Sequence, residues 1–178
     1  MEIVRIFAEN ISLCAVCYKD GEPDELSRLM ELWQDPEYLT EFFHRNKKNL
    51  ESGFWGDISV TDAVFKTMES AADFEDKLEQ AVKNKQLNNL FEDLDNKQYS
   101  LSHLFKQKSK ENWLRLYALK LESNHYIITG GAIKLTRKMQ EAQETNKEFH
   151  KFEIVRNHLI SLGIIDKEGL EDLVVLDF

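Results

Sequence analysis

The 178-residue chain has two cysteines, no apolar run approaching the roughly 18 residues that a membrane-crossing helix needs, and no internal repeat or low-complexity linker. Each absence excludes something. Cys14 and Cys17, in SLCAVCY, copy the spacing of a CxxC half-site, yet no second Cys/His pair completes a zinc site. Residues three apart on a strand point to opposite faces, so both cysteines are expected as small, reduced core residues. The start, MEIVRIFAEN, lacks the cationic opening, apolar stretch and small-residue cleavage site of a secretory signal, and the expectation is a cytoplasmic protein away from any membrane. No nucleophile elbow, P-loop or GxGxxG spacing occurs. His150, Glu153 and His158 do not reproduce the i, i+4 histidine pair of a helical metal site, and neither metal nor cofactor is expected.

What is present fits one globular domain, 42% hydrophobic and 31% charged. The opening EIVRIFAENISLCAVCY is rich in strand formers, with Glu9-Asn10 as a turn, and predicts a β-hairpin. After Pro23-Asp24, the residues Leu26, Leu29, Met30 and Trp33 recur at helical spacing, predicting a helix to about Gln34. Pro36 opens the next helix, with Tyr38, Leu39, Phe42 and Phe43 on one face and cations trailing at its end. SGFWGD reads as a loop. Ser59-x-x-Asp62 then caps a long helix carrying Val64, Met68, Ala72, Phe74, Leu78 and Val82, with Glu69, Asp73, Glu75, Asp76 and Glu79 as a solvated face. Residues 87–105 read as mixed.

Trp113 to Leu121, WLRLYALKL, is apolar on both faces, as a central strand requires. Glu122 to Asn124 turns the chain, His125 to Thr129 returns as the partner, and Gly130-Gly131 marks a bulge or strand end. Past it Ile133 and Leu135 alternate with Lys134 and Thr136, placing Lys134 on an exposed face. A helix from about Gln143 to Leu162 carries Phe149, Phe152, Val155 and Leu159 in a stripe, Gly163 ends it, and GLEDLVVLDF is a last amphipathic turn. The predicted class is α+β: one domain over 1–178, with a small antiparallel sheet from the chain's ends (about 1–18 and 99–162) and a helical insertion over about 23–97. Trp33, Trp55 and Trp113 are expected to anchor the core.

Charge is polarised along the chain. From His103 to Ile160 there are 11 Lys or Arg against 6 Asp or Glu, a balance of +5, while the remainder holds 12 against 26, a balance of −14. A basic segment in an acidic chain suits a phosphate site, and equally suits a solvated basic face paired with the acidic helices.

The segment WLRLYALKLESNHYIITGGAIKLTRKMQEAQETNKEFHKFEIVRNHL resembles the C-terminal half of the RelE/ParE-like toxin superfamily, especially its phage-derived, host-killing-type branch. The likeness rests on Arg115 near a strand start, the apolar strand Tyr126 to Thr129, the break from Gly130 to Lys134, and Thr136-Arg137-Lys138 before the last long helix. It covers about a quarter of the chain, and the pattern LRLYAL…ITGGAIKLT is also similar to that of a group of bacterial proteins. The resemblance implies a toxin of a toxin–antitoxin system, acting on mRNA or the ribosome as a metal-independent ribonuclease or translation inhibitor and held inactive by an antitoxin partner. It implies phosphate stabilisation by Arg115, Lys134 and Arg137, with Lys138 beside them, and proton transfer by Tyr126 or His125. The rival reading is a non-catalytic module in which the acidic helices or the amphipathic C-terminus dock a partner protein.

Overall fold

The computed structural model describes residues 1–7, 10–51, 54–93, 101–104, 112–135 and 141–176. Strands β1 (Glu2–Phe7) and β2 (Asn10–Cys17) form the opening hairpin. Four helices follow: α1 (Glu25–Gln34), α2 (Pro36–Arg45), the short α3 (Lys47–Leu50) and α4 (Val60–Lys83). A 3-10 turn over Leu87–Asn89 leads into β3 (Phe91–Asp93), β4 (Leu101–Leu104), β5 (Leu114–Glu122) and β6 (His125–Ile133), and α5 (Glu141–Ser161) and α6 (Lys167–Leu176) complete the chain. The molecule is α+β, with strands from both ends of the sequence and a helical middle.

The helices start where side chains can satisfy the first free amides. Asp24 accepts from the Leu26 and Ser27 amides at 2.9 and 3.1 Å. Asp35 does the same for Glu37 and Tyr38 at 2.9 and 3.2 Å, with Pro36 at the first helical position. The Ser59 hydroxyl accepts from the Asp62 amide at 3.1 Å.

The six strands form one sheet in the order β1-β2-β6-β5-β4-β3. Every neighbouring pair is antiparallel except β2 and β6, which run parallel with Leu13 opposite Tyr126 and Ala15 opposite Ile128. The sheet is therefore mixed where the sequence suggested a wholly antiparallel one. The reason is that β2 and β6 are joined through the entire helical middle, so no hairpin fixes their direction.

Alternation along the strands feeds two cores on opposite faces. On one face Leu13, Ala15, Leu114, Leu116, Tyr126 and Ile128 pack under α1, α2 and α4 with Trp33, Phe43, Phe74 and Trp113. On the other, Cys14, Val16, Leu119 and Ile127 pack under α5 and α6 with Phe152, Val155, Leu159, Leu170 and Val174. Cys14 and Cys17 are both buried and unbridged. Burial pushes the Cys14 thiol up to about 12, the nearby Arg5 drawing it back in part. Trp33 and Trp113 are among the largest fully buried side chains, and Trp55 stacks edge-on against Trp113 at 5.1 Å. Among the described residues no helix is long and apolar enough to cross a membrane.

Candidate functional site

The β5–β6 hairpin carries the residues singled out in the sequence, and its register decides which of them meet. Leu114 opposes Ile133, Arg115 opposes Ala132, Leu116 opposes Gly131 and Tyr117 opposes Gly130. Leu114, Leu116 and Ile133 belong to the core under α1–α4, so Arg115 and Ala132 lie on the opposite face. The ladder continues one residue past β6, where the Lys134 amide donates to the Trp113 carbonyl at 2.7 Å. Arg115 and Lys134 thus share one end of the hairpin, both half-buried. The Arg115 guanidinium donates to the carbonyls of Asn112 and Leu114 at 3.0 and 2.7 Å, which holds its stem along its own strand.

His125 and Tyr126 lie at the other end. Tyr126 pairs with Lys120, five residues along β5 from Arg115, a span of roughly 17 Å. It is fully buried on the α1–α4 side, its ring stacked on Phe91 at 4.4 Å and its hydroxyl donating to Asn88 Oδ1 at 2.8 Å. His125 is half-buried, with Nδ1 2.9 Å from the Ser123 carbonyl at the turn. The structure brings Arg115 and Lys134 together and sets the two proton-transfer candidates apart from them. Arg137 and Lys138 lie outside the described residues.

The double glycine has a separate reason for each residue. A β-carbon on Gly130 would collide with the Glu148 carboxylate of α5. One on Gly131, pointing to the opposite face, would fall 2.7 Å from both Leu29 Cδ1 of α1 and the Arg115 carbonyl. Just before them the register slips between Tyr117–Gly130 and Ala118–Ile128, leaving Thr129 as a bulge. Its carbonyl accepts from the Tyr18 hydroxyl at 2.6 Å.

These contacts converge at a topological switch point. The helices that follow the parallel strands β2 and β6 leave on opposite faces, α1 to one and α5 to the other. Charged side chains of these helices gather there. Arg28 grips the buried Glu25 carboxylate with two hydrogen bonds, at 2.7 and 2.9 Å. Lys151 Nζ of α5 lies 2.7 Å from the same Glu25 and 3.1 Å from Glu148, and 5.7 Å from the Tyr18 ring centre. Glu148 Oε2 is buried against Gly130 with no hydrogen-bond partner among the described residues.

Burial raises the proton affinity of Glu148, opposed by the charge and hydrogen bond of Lys151 and reinforced by the nearby Glu25. Burial, then the Glu25 and Glu148 charges, hold the Tyr18 phenol far above its ordinary value. Tyr18 is a fixed donor here, not a base.

Spacing alone gave one usable signal for this network. Glu148 sits four residues before Phe152, in the stripe of Phe152, Val155 and Leu159 that faces the sheet. Glu25 reads locally as an ordinary first-turn acid.

Among the described residues no three His, Cys, Asp or Glu cluster as a metal site. A pocket of about 190 Å³ opens between β1, α1 and α4, lined by Arg5, Phe7, Ser27, Met30 and Glu75 among others. It is smaller than the roughly 300–1,000 Å³ usual for small-molecule sites. The chain matches no family model, no curated protein and no solved structure.

Proposed function

We propose that the protein is a toxin-like component of a toxin–antitoxin system that inhibits translation by engaging RNA phosphates through Arg115 and Lys134. The observation that carries this reading is the meeting of these two cations at one end of the β5–β6 hairpin, on the sheet face opposite the α1–α4 layer. Both lie in the segment with a +5 balance, inside a chain of net charge −9. Lys/Arg neutralisation dominates binding to phosphates, while the acidic remainder repels nucleic acid elsewhere and so limits contact to one surface.

Cleavage would add a proton transfer. As the ribose 2′-oxygen bonds to phosphorus, a base takes its proton, the bond to the 5′-oxygen breaks, and that oxygen gains a proton in turn. Neither Tyr126 nor His125 is placed to serve a phosphate held at Arg115, so binding to mRNA or the ribosome is the part that the geometry supports.

The test is induced expression of the wild type beside an Arg115→Ala/Lys134→Ala double variant, following growth and bulk protein synthesis at equal soluble expression. Arrest by the wild type that the double variant relieves is the expected result. Equal arrest by both would remove the cations from the mechanism.

A second reading, docking of a partner protein, draws on Ile160 at the end of α5 and Leu162 and Ile165 in the turn to α6, exposed by 48%, 49% and 73%. It predicts harmless expression of both proteins.

A further inference from the structure

Few residues build the turn between α5 and α6. Gly163, at a φ of +75°, ends α5, and its amide donates to the Ile160 carbonyl at 3.0 Å. The Ile164 amide reaches back to the Leu159 carbonyl at 2.9 Å, and both of these side chains are buried in the core beneath α5 and α6. Asp166 starts α6, its carboxylate accepting from the Gly169 amide at 2.9 Å. Glu122, at the end of β5, accepts from the Lys167 amide at 3.0 Å, which ties the turn to the His125 end of the hairpin, away from Arg115.

The side chains of Ile160, Leu162 and Ile165 take no part in this construction. All three are exposed, although polar residues would form the same turn. Three large aliphatic side chains within six residues are a cluster, unlike the single apolar residues that a folded surface normally scatters.

The surface beside them is acidic. Asp166, Glu168, Glu171 and Asp172 stand against one cation in this stretch, Lys167, whose ammonium already lies 3.8 Å from Glu168. Glu168, Glu171 and Asp172 share the exposed side of α6, opposite the buried Leu170 and Val174. A second copy laid symmetrically on the turn would bring carboxylates against carboxylates, a like-charge juxtaposition that opposes self-pairing. A partner with cations bordering an apolar face gains from both features. Because hydrogen bonds already fix the turn, binding need not order it.

We propose that the α5–α6 turn is a docking site for an amphipathic helix of a partner protein. Ile160, Leu162 and Ile165 meet the apolar face of that helix, and Glu168, Glu171 and Asp172 meet the Lys or Arg residues along its border. One short helix can supply both, since its apolar residues recur at helical spacing with cations beside them. The inference rests on the partner-docking reading, to which it adds the chemistry of the partner, and it needs neither Arg115 nor Lys134.

The probe is a fluorescein-labelled peptide of Leu and Lys arranged as an amphipathic helix, beside one in which Glu replaces every Lys, with binding to the full chain followed by anisotropy at fixed salt. The unmodified protein is expected to bind the Leu/Lys peptide at least about tenfold more tightly than the Leu/Glu peptide. Ile160→Ser/Leu162→Ser/Ile165→Ser should weaken that binding at least about tenfold, while Phe65→Ser, which removes an exposed ring from α4, should leave it unchanged. Glu168→Lys/Glu171→Lys/Asp172→Lys should reverse the preference between the two peptides, with circular dichroism showing each variant folded.

Equal binding of both peptides that the serine variant abolishes keeps a docking cluster at the turn and overturns the basic partner. Leu/Lys binding that neither triple variant alters, or that Phe65→Ser weakens as much, overturns the site and the partner-docking reading together, as does no binding at all. A dimer of the unmodified protein in sedimentation that the serine variant dissolves places a second copy on the turn, and it too overturns the proposal.

Discussion

The two faces of the sheet are held by different physics. Under α1, α2 and α4 lie large rings, with Trp33 against Phe74 at 6.3 Å and Trp113 against Phe43 at 5.5 Å, surrounded by leucines. Under α5 and α6 the sheet offers Cys14, Val16, Leu119 and Ile127, and at Glu148 and Lys151 α5 is tied by charges. Burial of aromatic rings is non-directional and survives small shifts, whereas an ion pair taken out of water is stable only while its geometry is complete. The helical face is thus the part that sets stability, and the α5 face is the part able to change.

The sharpest way to break this comparison is to hollow out the first face. Trp113→Ala removes a fully buried ring and leaves the Thr67 hydroxyl without the indole N–H that donates to it at 2.9 Å. A loss of about 3–5 kcal/mol is expected in urea unfolding, with both faces lost in one transition. A much smaller loss would mean that the ring is not a keystone of that core.

Next come the adjacent glycines, neighbours in sequence but facing opposite sides. Gly131→Ala meets backbone and the packed Leu29, which cannot yield cheaply, and about 1–3 kcal/mol of stability should go. Gly130→Ala meets only the end of a carboxylate side chain, so its global cost should be the smaller of the two. Equal costs would contradict the assignment of a rigid contact to one face and a movable one to the other.

Smaller still is the effect of pH through Glu148. Its folded-state proton affinity is raised above the ordinary value of 4.5, chiefly by burial, with Glu25 adding to the rise and Lys151 and Arg28 opposing it. The folded state therefore binds the proton more tightly than the unfolded one. The stability contributed by this group is fully present below 4.5 and is lost as pH rises through the raised value. Glu148→Gln should remove that share of the slope, seen by comparing denaturation midpoints of the two proteins across this window. An unchanged slope would place Glu148 in water.

The least effect is expected at the thiols. Cys14 is buried with its ionisation pushed up to about 12, and Cys17 donates to the Lys19 and Glu22 carbonyls at 3.0 and 3.1 Å. Neither should react with a thiol reagent until the protein unfolds. Rapid native-state labelling of Cys14 would show that the α5 face opens far more than its apolar half allows.

Much of this was legible in the sequence because it is local. The helix starts at Asp24, Pro36 and Ser59, the central strand WLRLYALKL and the glycine that ends α5 are each written within a few residues. The double glycine was legible as a break, but not as two contacts, because its partners Glu148 and Leu29 come from helices on either side of it in the chain. Parallel pairing of β2 with β6 has no local signature at all. The same is true of the clasp, since Glu25 and Lys151 are 126 residues apart. Among the site residues, alternation separated Lys134 from Ile133 and Leu135, although Lys134 is half-buried and not exposed, and Arg115 was singled out by the resemblance alone. Tyr126 was legible as a strand residue, but its burial depends on Asn88 and Phe91 across the sheet's helical side.

The unequal hold on the two faces is tested most directly by native-state hydrogen exchange of the unmodified protein across a denaturant series. The account predicts that amides of α4 exchange only through global unfolding, while amides around Glu148 to Lys151 exchange through a smaller opening that denaturant barely affects. If both sets merge into one isotherm at all denaturant concentrations, the faces open together, and the division between a fixed face and a movable one is wrong.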